Sequence, residues 1–536
     1  MTDEDQQPLP RGWEWASLTQ IAEVKGGITK GQKRKTRDGL REVPYLRVAN
    51  VQRGFLDLDE VKTIEATEDE VRGLILLPGD ILFTEGGDRD KLGRGWVWRG
   101  EIAECIHQNH IFRARLRSPE IEPKIISWYG NTAGQDYFTR QGKQTTNLAS
   151  INLTKLSAFP VPIPPSAEQR RIVAAIEEHF SRLDEGIAAL ESARARLRRY
   201  RASVLKAACE GRLVPTEAEL ARAEGHDYEP ADRLLSRILQ HRRSRWEADQ
   251  LAKLHAQGKP PKDDRWKAKY AEPNPPDTSS LPELPEGWTW AAAAQIAEIQ
   301  GGIQKQPKRT PKENAYPFLR VANVYRNRLE LDDVHRIELF GDELDKLRLQ
   351  PGDLLIVEGN GSPTEIGRMA IWNGAISDCV HQNHIIRARL VGDLPPSYVG
   401  CYWNSPDGSS RVMQVSSSTS GLHTLSVTKV NALPVALPPL AEQHRIVAEV
   451  ERRLSLINAL DAALAAGLKR VERLRQAILK RAFSGRLVPQ DPADEPASAL
   501  LERIRAGGSP PAPKPRAGQG ARSRRSGPDH QPSLFD

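Results

Sequence analysis

Apolar positions recur every seven residues in two long stretches of this chain, Ala167 to about Cys209 and Ala441 to about Phe483. In the first, Ile176, Leu183, Leu190, Leu197 and Val204 mark the repeat, with Ile172, Phe180 and Ile187 filling the alternate seam. In the second, Val450, Ile457, Leu464, Val471 and Ile478 do the same, beside Ile446, Leu454 and Leu468. A seven-residue stripe keeps facing one neighbour only when two helices supercoil. At 1.5 Å per residue, each stretch makes a rod of roughly 60 Å. The five matched positions all differ by 274, so the natural partner of each rod is the other. The spacing predicts an intramolecular helical pair used as a spacer. Two separate helices, each packed on its own domain, are the competing arrangement, and the pattern leaves parallel and antiparallel pairing open.

Outside the rods the pattern shortens. Tyr45 to Val51, Asp80 to Thr84 and Ile111 to Leu116 are β-rich runs between Gly-rich loops, and Pro78-Gly79 is a turn that launches the strand from Asp80. The proline segment Phe159 to Pro165 is extended and closes this part of the chain. Ser166 then stands where a helix N-cap belongs, with Gln169 at the capping-box position, whereas the second copy carries Leu440 there. Glu229 to about Gln257 reads as a further helix, followed by a Pro-rich linker around Glu272 to Pro285. The tail from about Gly507, rich in Gly, Pro, Ser and Arg, is expected to be disordered.

The layout is a repeat. Leu9-Pro10-Arg11-Gly12-Trp13 returns as Leu284-Pro285-Glu286-Gly287-Trp288, Gly26-Gly27-Ile28 as Gly301-Gly302-Ile303, and Leu46 to Val51 as Leu319 to Val324. Pro78-Gly79-Asp80 matches Pro351-Gly352-Asp353, and His107-Gln108-Asn109-His110 matches His381-Gln382-Asn383-His384. Gly211 to Pro215 matches Gly485 to Pro489, and Glu229-Pro230-Ala231 is echoed at Glu495-Pro496-Ala497. Two copies suit a pseudo-dimer within one chain, related by an approximate two-fold. The predicted class is α+β. Two mixed domains (1–163 and 281–437) are joined by the long helices (164–215 and 438–489), with a helical extension and linker at 216–280 and a short helix and tail at 490–536.

Composition adds little to this picture. Against 70 Asp and Glu stand 77 Lys and Arg, a net charge of +7 that permits a polyanionic partner without demanding one. Four cysteines without short-range pairing suggest a reducing interior and no zinc site. No apolar run approaches 18 residues, so a soluble, cytoplasmic protein is expected.

The candidate chemistry lies in loops that recur. Lys25, just before Gly26-Gly27, and Lys30, Lys33, Arg34, Lys35 and Arg37 after it crowd the first loop; Lys305, Lys308, Arg309 and Lys312 crowd its counterpart. Such clusters neutralise phosphates, and the glycines would let backbone amides approach a partner. A second loop runs from Glu85-Gly86-Gly87 to Arg89, Lys91 and Arg94, and in the other copy from Glu358 through Asn360 and Ser362 to Arg368. Glycine for reach, with Arg and Asn for base edges, suits groove reading; a plain connection is the alternative. The polar runs from Lys143 through Thr145 to Asn147, and from Ser416 to Ser420, also fit a binding face. The His-Gln-Asn-His segments invite a metal. On a strand, however, His107 and His110 would point to opposite faces and could not share an ion. Asn50 and Asn323 suit turns. Asn274-Pro275-Pro276-Asp277 superficially resembles an adenine-methyltransferase motif, but an aspartate replaces its aromatic and no strand precedes it. Asp80 followed by Glu85 hints at a nuclease carboxylate pair, yet the lysine expected two residues on is missing. No catalytic residue is assigned.

The order of motifs resembles the specificity subunit of type I restriction–modification systems. It is carried by the Leu-Pro-x-Gly-Trp segments, Pro-Gly-Asp, Pro164 to Val173, Pro438 to Val447, and the two Gly-Arg-Leu-Val-Pro ends. The resemblance implies two target-recognition domains, an antiparallel helical pair, and double-stranded DNA as ligand. It implies two modification subunits carrying S-adenosylmethionine, and restriction subunits using ATP and Mg. No cofactor is expected in this chain itself. A coiled-coil adaptor that binds only proteins is the competing class. Separately, Gln531-Pro532-Ser533-Leu534-Phe535 resembles the pentapeptide that docks into the replication sliding clamp.

Overall fold

The computed structural model describes residues 8–30, 39–87, 91–144, 149–360, 362, 365–419 and 422–507. Five helices matter here: α1 (Ser166–Cys209), α2 (Glu217–Glu224), α3 (Ala231–Ala256), α4 (Leu440–Phe483) and α5 (Ala497–Gly507). The chain divides into two compact units, residues 1–188 with 468–536, and residues 189–467, the boundaries falling within α1 and α4.

The first unit is built on a four-stranded sheet of β1 (Ala22–Gly26), β2 (Ile81–Thr84), β3 (Gly95–Val97) and β4 (Ile111–Leu116), in the order β1-β4-β2-β3. Every neighbour pair is antiparallel. A second sheet sets Leu40–Leu46 between Lys62–Thr67 and Ile106–His107. The second unit repeats the plan with β5 (Ala297–Gly301), β6 (Leu354–Val357), β7 (Met369–Ile371) and β8 (Ile385–Leu390), in the order β5-β8-β6-β7. β2 and β6 are buried at every position, which fits central strands covered on both faces.

Each unit ties its sheet domain to a long helix in the same way. The Trp13 indole N–H donates to Glu168 in the first turn of α1, 3.0 Å away, and Trp288 donates to Glu442 of α4, also at 3.0 Å. Both carboxylates are buried, and desolvation pushes their pKa up. The positive end of the helix and the indole N–H replace only part of what water would have supplied. The repeated Leu-Pro-x-Gly-Trp and Ala-Glu-Gln motifs are therefore two halves of one joint.

Helix initiation corrects the expectation at Ser166. The serine is the first residue of α1 itself, and its buried hydroxyl makes no hydrogen bond. Gln169 instead donates through Nε2 to Pro164 O (2.8 Å) and accepts at Oε1 from Glu122 N. Gln443 likewise donates to Pro438 O (2.9 Å), so the helix with Leu440 starts with one of these two bonds, the Gln443 Oε1 being buried without a hydrogen bond.

The long helices run antiparallel within each unit. In the first, Ile176 shares a core with Leu479, and Asp184 pairs with Arg475. In the second, Arg194 meets Asp461 at 2.9 Å, Arg201 bonds Asn458, and Leu190 lies over Gly467. Rising numbers on α1 meet falling numbers on α4. The heptad residues form the seam: Ile176, Val204, Val450, Ile457 and Val471 are buried, and Leu183, Leu190, Leu197, Leu464 and Ile478 half-buried.

The run from Tyr45 to Val51 is not one strand. It stops at Leu46 and turns through a 3-10 segment, Val48–Asn50. Asn50 accepts from Arg47 N and donates to Asp57 O and Glu60 O, and Asn323 repeats all three bonds on Arg320, Glu330 and Asp333. Each asparagine staples a loop.

Candidate nucleic-acid interface

Strand register brings the candidate segments of each unit to one end of its sheet. Gly26, the last residue of β1, pairs with Phe112 near the start of β4; Thr84, the last of β2, pairs with Ile111; and Gly95, the first of β3, pairs with Phe83. The basic segment after Gly26, the Gly86-Gly87 loop and His107 to His110 therefore emerge side by side. In the second unit, Gly301 pairs with Ile386, Val357 with Ile385 and Ile356 with Met369, giving the same convergence.

The His-Gln-Asn-His segment holds these loops together. Ile28 N donates to His107 O (2.8 Å) and Asn109 N to Ile28 O (2.9 Å); Ile303, His381 and Asn383 repeat both bonds. The Gly-Gly pair serves this contact. A Cβ on Gly27 would lie 2.0 Å from His107 O, and one on Gly302 2.2 Å from His381 O. These glycines admit the chain's own backbone, a different use from the approach of an external partner.

The two histidines of each segment part company. His107 and His381 are fully buried, each with Nδ1 2.9 Å from the carbonyl of Ile111 or Ile385, and burial lowers both pKa values to about 4. His110 and His384 are exposed and lie 2.5 Å and 3.3 Å from Glu85 and Glu358. Among the described residues, no cluster of three His, Cys, Asp or Glu is arranged to hold a metal ion.

Glu85 is the other node. Its N–H donates to His110 O, and its carbonyl accepts from Ile151 N. Gly86–Gly87 pairs with Ala149–Ser150, which pairs with Lys143–Gln144. Glu358 does the same with His384 and Leu425, and Gly359–Asn360 joins a ribbon formed by 417–419 and 422–424. The structure thus merges the glycine loops with the polar runs, which the sequence reading had kept apart.

The assigned side chains divide into three groups. Lys30, Lys305 and Lys308 are exposed, and Lys91 and Ser362 are half-buried. Three arginines work inside the fold. Arg309 forms a two-pronged pair with Glu343, with both bonds at 2.8 Å; Arg368 is buried and donates to Val324 O and Val321 O; Arg94 donates to Val48 O. Lys33, Arg34, Lys35, Arg37, Arg89 and Thr145 lie outside the described residues, and Lys143 and Asn360 are described in backbone only. The sequence reading missed the exposed His110–Glu85 and His384–Glu358 pairs. Their signal was present: a glutamate right after each β2-type strand, matched by the last histidine of each motif.

The carboxylates that hinted at a nuclease are engaged in structure. Arg115 clasps Asp80 with two bonds (2.8 and 2.7 Å), Asp80 also accepts from Leu77 N, and the carboxylate is 1% exposed. Asp353 repeats this with Arg389 and Gln350 N.

Residues 10–191 match the family model described as the type I restriction modification DNA specificity domain. The chain is 24% identical over 524 residues to the type I restriction enzyme EcoKI specificity subunit of Escherichia coli K12, covering 93% of this chain and 96% of that protein. It is also 24% identical to the StySPI specificity subunit of Salmonella potsdam, with the same coverage. A solved chain from work on complex assembly and conformational transition of the type I R-M system superposes with a TM-score of 0.60 at 17% identity, covering 90% of this chain and 100% of that one. The chain is thus similar, over nearly its whole length, to type I restriction–modification specificity subunits. This similarity does not favour the protein-only adaptor reading, and the α+β fold is shared with the solved chain. Among the described residues no helix is long and apolar enough to cross a membrane.

Proposed function

We propose that each unit reads one part of a two-part DNA target through the loop end of its four-stranded sheet. The supporting observation is that convergence, built twice from the same backbone bonds but with different side chains on top. Gly87-Asp88-Arg89-Asp90 in one copy stands against Asn360-Gly361-Ser362-Pro363 in the other, and Lys33-Arg34-Lys35 against Lys305 to Arg309. Shared framework with unlike tips predicts unlike half-sites, hence an asymmetric target with unread bases between. Exposed lysines engage phosphates, while ribbon and loop side chains meet base edges. Lys30, Lys305 and Lys308 are the described cations best placed for the first role.

The chain supplies sequence choice and assembly. Adenine methylation with S-adenosylmethionine, and cleavage with ATP and Mg, belong to modification and restriction subunits in this proposal. The clasped state of Asp80 and Asp353 supports it, because each carboxylate is enclosed and committed to one arginine and a backbone N–H. The proposed sliding-clamp contact of Gln531 to Phe535 lies outside the described residues; deleting the last six residues and measuring clamp binding tests it.

Modified-base mapping of genomic DNA, with and without the gene for this chain, tests the main reading. An interrupted, non-palindromic motif that vanishes with the gene is expected. A palindromic or uninterrupted motif would overturn the two-reader arrangement.

A further inference from the structure

The second unit carries a charged arm that target reading does not use. Helices α3 and α5 begin alike: Ala231 N donates to Gly287 O, and Ala497 N to Gly12 O. Leu234 and Ile238 of α3 are buried, as are Leu500 and Ile504 of α5. Beyond Ile238, α3 has no buried residue, yet it continues to Ala256. Residues 231–270 hold eleven Lys and Arg against five Asp and Glu, a net +6 in a chain whose total is +7.

The arm has a direction. Ile238 lies against Gly392, Arg242 donates to Ala297 O (3.0 Å), and Arg245 pairs with Glu298 (3.4 Å). Rising numbers on α3 meet rising numbers on β5, so the helix travels with that strand. From Glu298, β5 advances about 10 Å to Gly301; from Arg245, α3 advances about 16 Å to Ala256. The helix end therefore passes the sheet end, where the basic segment of this unit emerges, by about 6 Å.

The arm is also held in shape. Trp246 packs on Trp266 (6.1 Å between centroids) and Tyr270 (5.3 Å), fastening the 3-10 segment Asp264–Lys269 back against α3. Lys267 pairs with Glu247, and Arg243 with Glu272. These ties consume some of the cations but leave the tip. Lys253, Lys259 and Lys262 toward the tip, and Lys269 on the returning segment beside Tyr270, are exposed, and their ammonium groups have no ion-pair or hydrogen-bond partner among the described residues. Four unpaired ammonium groups along a preformed arm, three of them toward its tip, suit a regularly spaced polyanion, because little ordering entropy remains to be lost on contact.

We propose that this tip grips the phosphodiester backbone of the duplex beside the half-site read by the second unit, adding affinity without reading sequence. The inference rests on the DNA-reading function above. The test uses the complex with its modification subunits and a duplex carrying the mapped motif with 20 base pairs on each flank. The variant combines Lys253→Gln, Lys259→Gln, Lys262→Gln and Lys269→Gln, all on the surface; circular dichroism checks its fold. Affinity is expected to fall roughly tenfold at 0.15 M salt, and the slope of log K against log salt to flatten by about 2–4. Hydroxyl-radical protection should shorten beside one half-site only, with the preferred motif unchanged. Unchanged affinity and footprint overturn the inference. So does loss of the modification subunits from the variant before DNA is added, which would assign the tip to a protein contact. A wild-type complex that does not prefer its motif over a scrambled duplex defeats the functional reading itself, a separate outcome.

Discussion

Asp80 and Asp353 show how a residue that looks catalytic in sequence becomes structural. Each carboxylate is enclosed, clasped by one arginine and bonded to a backbone N–H. Removing its charge leaves a guanidinium without its partner. Since Arg115 is partly exposed, Asp80→Asn should cost on the order of 2–3 kcal/mol, less than a fully buried pair, read as a lower denaturation midpoint. His107 and His381 make stability depend on pH. Their folded pKa of about 4 lies below the ordinary 6.5, so the unfolded chain binds the proton first as pH falls. Their contribution is full above about pH 6.5 and drains away toward pH 4, up to about 3 kcal/mol for each. Thermal unfolding between pH 7 and 4.5 should show the decline, and the double variant H107N/H381N should show a shallower one; parallel curves would refute the assignment. At this scale the sequence was half legible. The two histidines of each motif do part, but not by strand alternation, since His110 and His384 stand in turns between two strands; and the purpose of Gly27 depends on which strand runs beneath it, which spacing along the chain does not encode.

Among elements, the long helices were the most legible, because a heptad stripe can be satisfied only by another helix. Their direction was not, since an apolar seam reads the same both ways; the Asp184–Arg475 and Arg194–Asp461 pairs settle it within each unit. The cap at Ser166 misled for a physical reason. Pro164 offers a carbonyl that Gln169 can reach, and the glutamine's two hydrogen bonds, one donated to Pro164 O and one accepted from Glu122 N, displaced the local box. Two glycine substitutions separate helix from strand contact. Gly467 sits within α4 with a helical backbone, and a Cβ there would meet Leu190 at an ordinary 3.4 Å. Gly467→Ala should stabilise the protein by about 0.5–1 kcal/mol through helix propensity. Gly27→Ala, aimed at a carbonyl 2.0 Å away, should lower the melting temperature and loosen the basic segment, seen as faster proteolysis there.

At the scale of the whole molecule, the repeat was legible because its motifs keep their order, and it carries a functional consequence. If each unit reads alone, damage to one should weaken only its own half of the target. The triple variant of Lys305, Lys308 and Lys312 to Gln is therefore expected to flatten the salt slope of binding by about 2–3 and to thin the footprint over one half-site; thinning over both would contradict independent readers. What the sequence concealed is how the chain is apportioned. The second unit is one unbroken segment, 189–467, whereas the first needs residues 1–188 and 468–536 together. Gly12 receives its bond from Ala497, Arg171 pairs with Asp494, and Leu479 completes the core around Trp13 and Ile176. On the ribosome, then, the half made first is finished last: its core stays open until some three hundred further residues have been made, which exposes it to chaperones and proteases for most of synthesis.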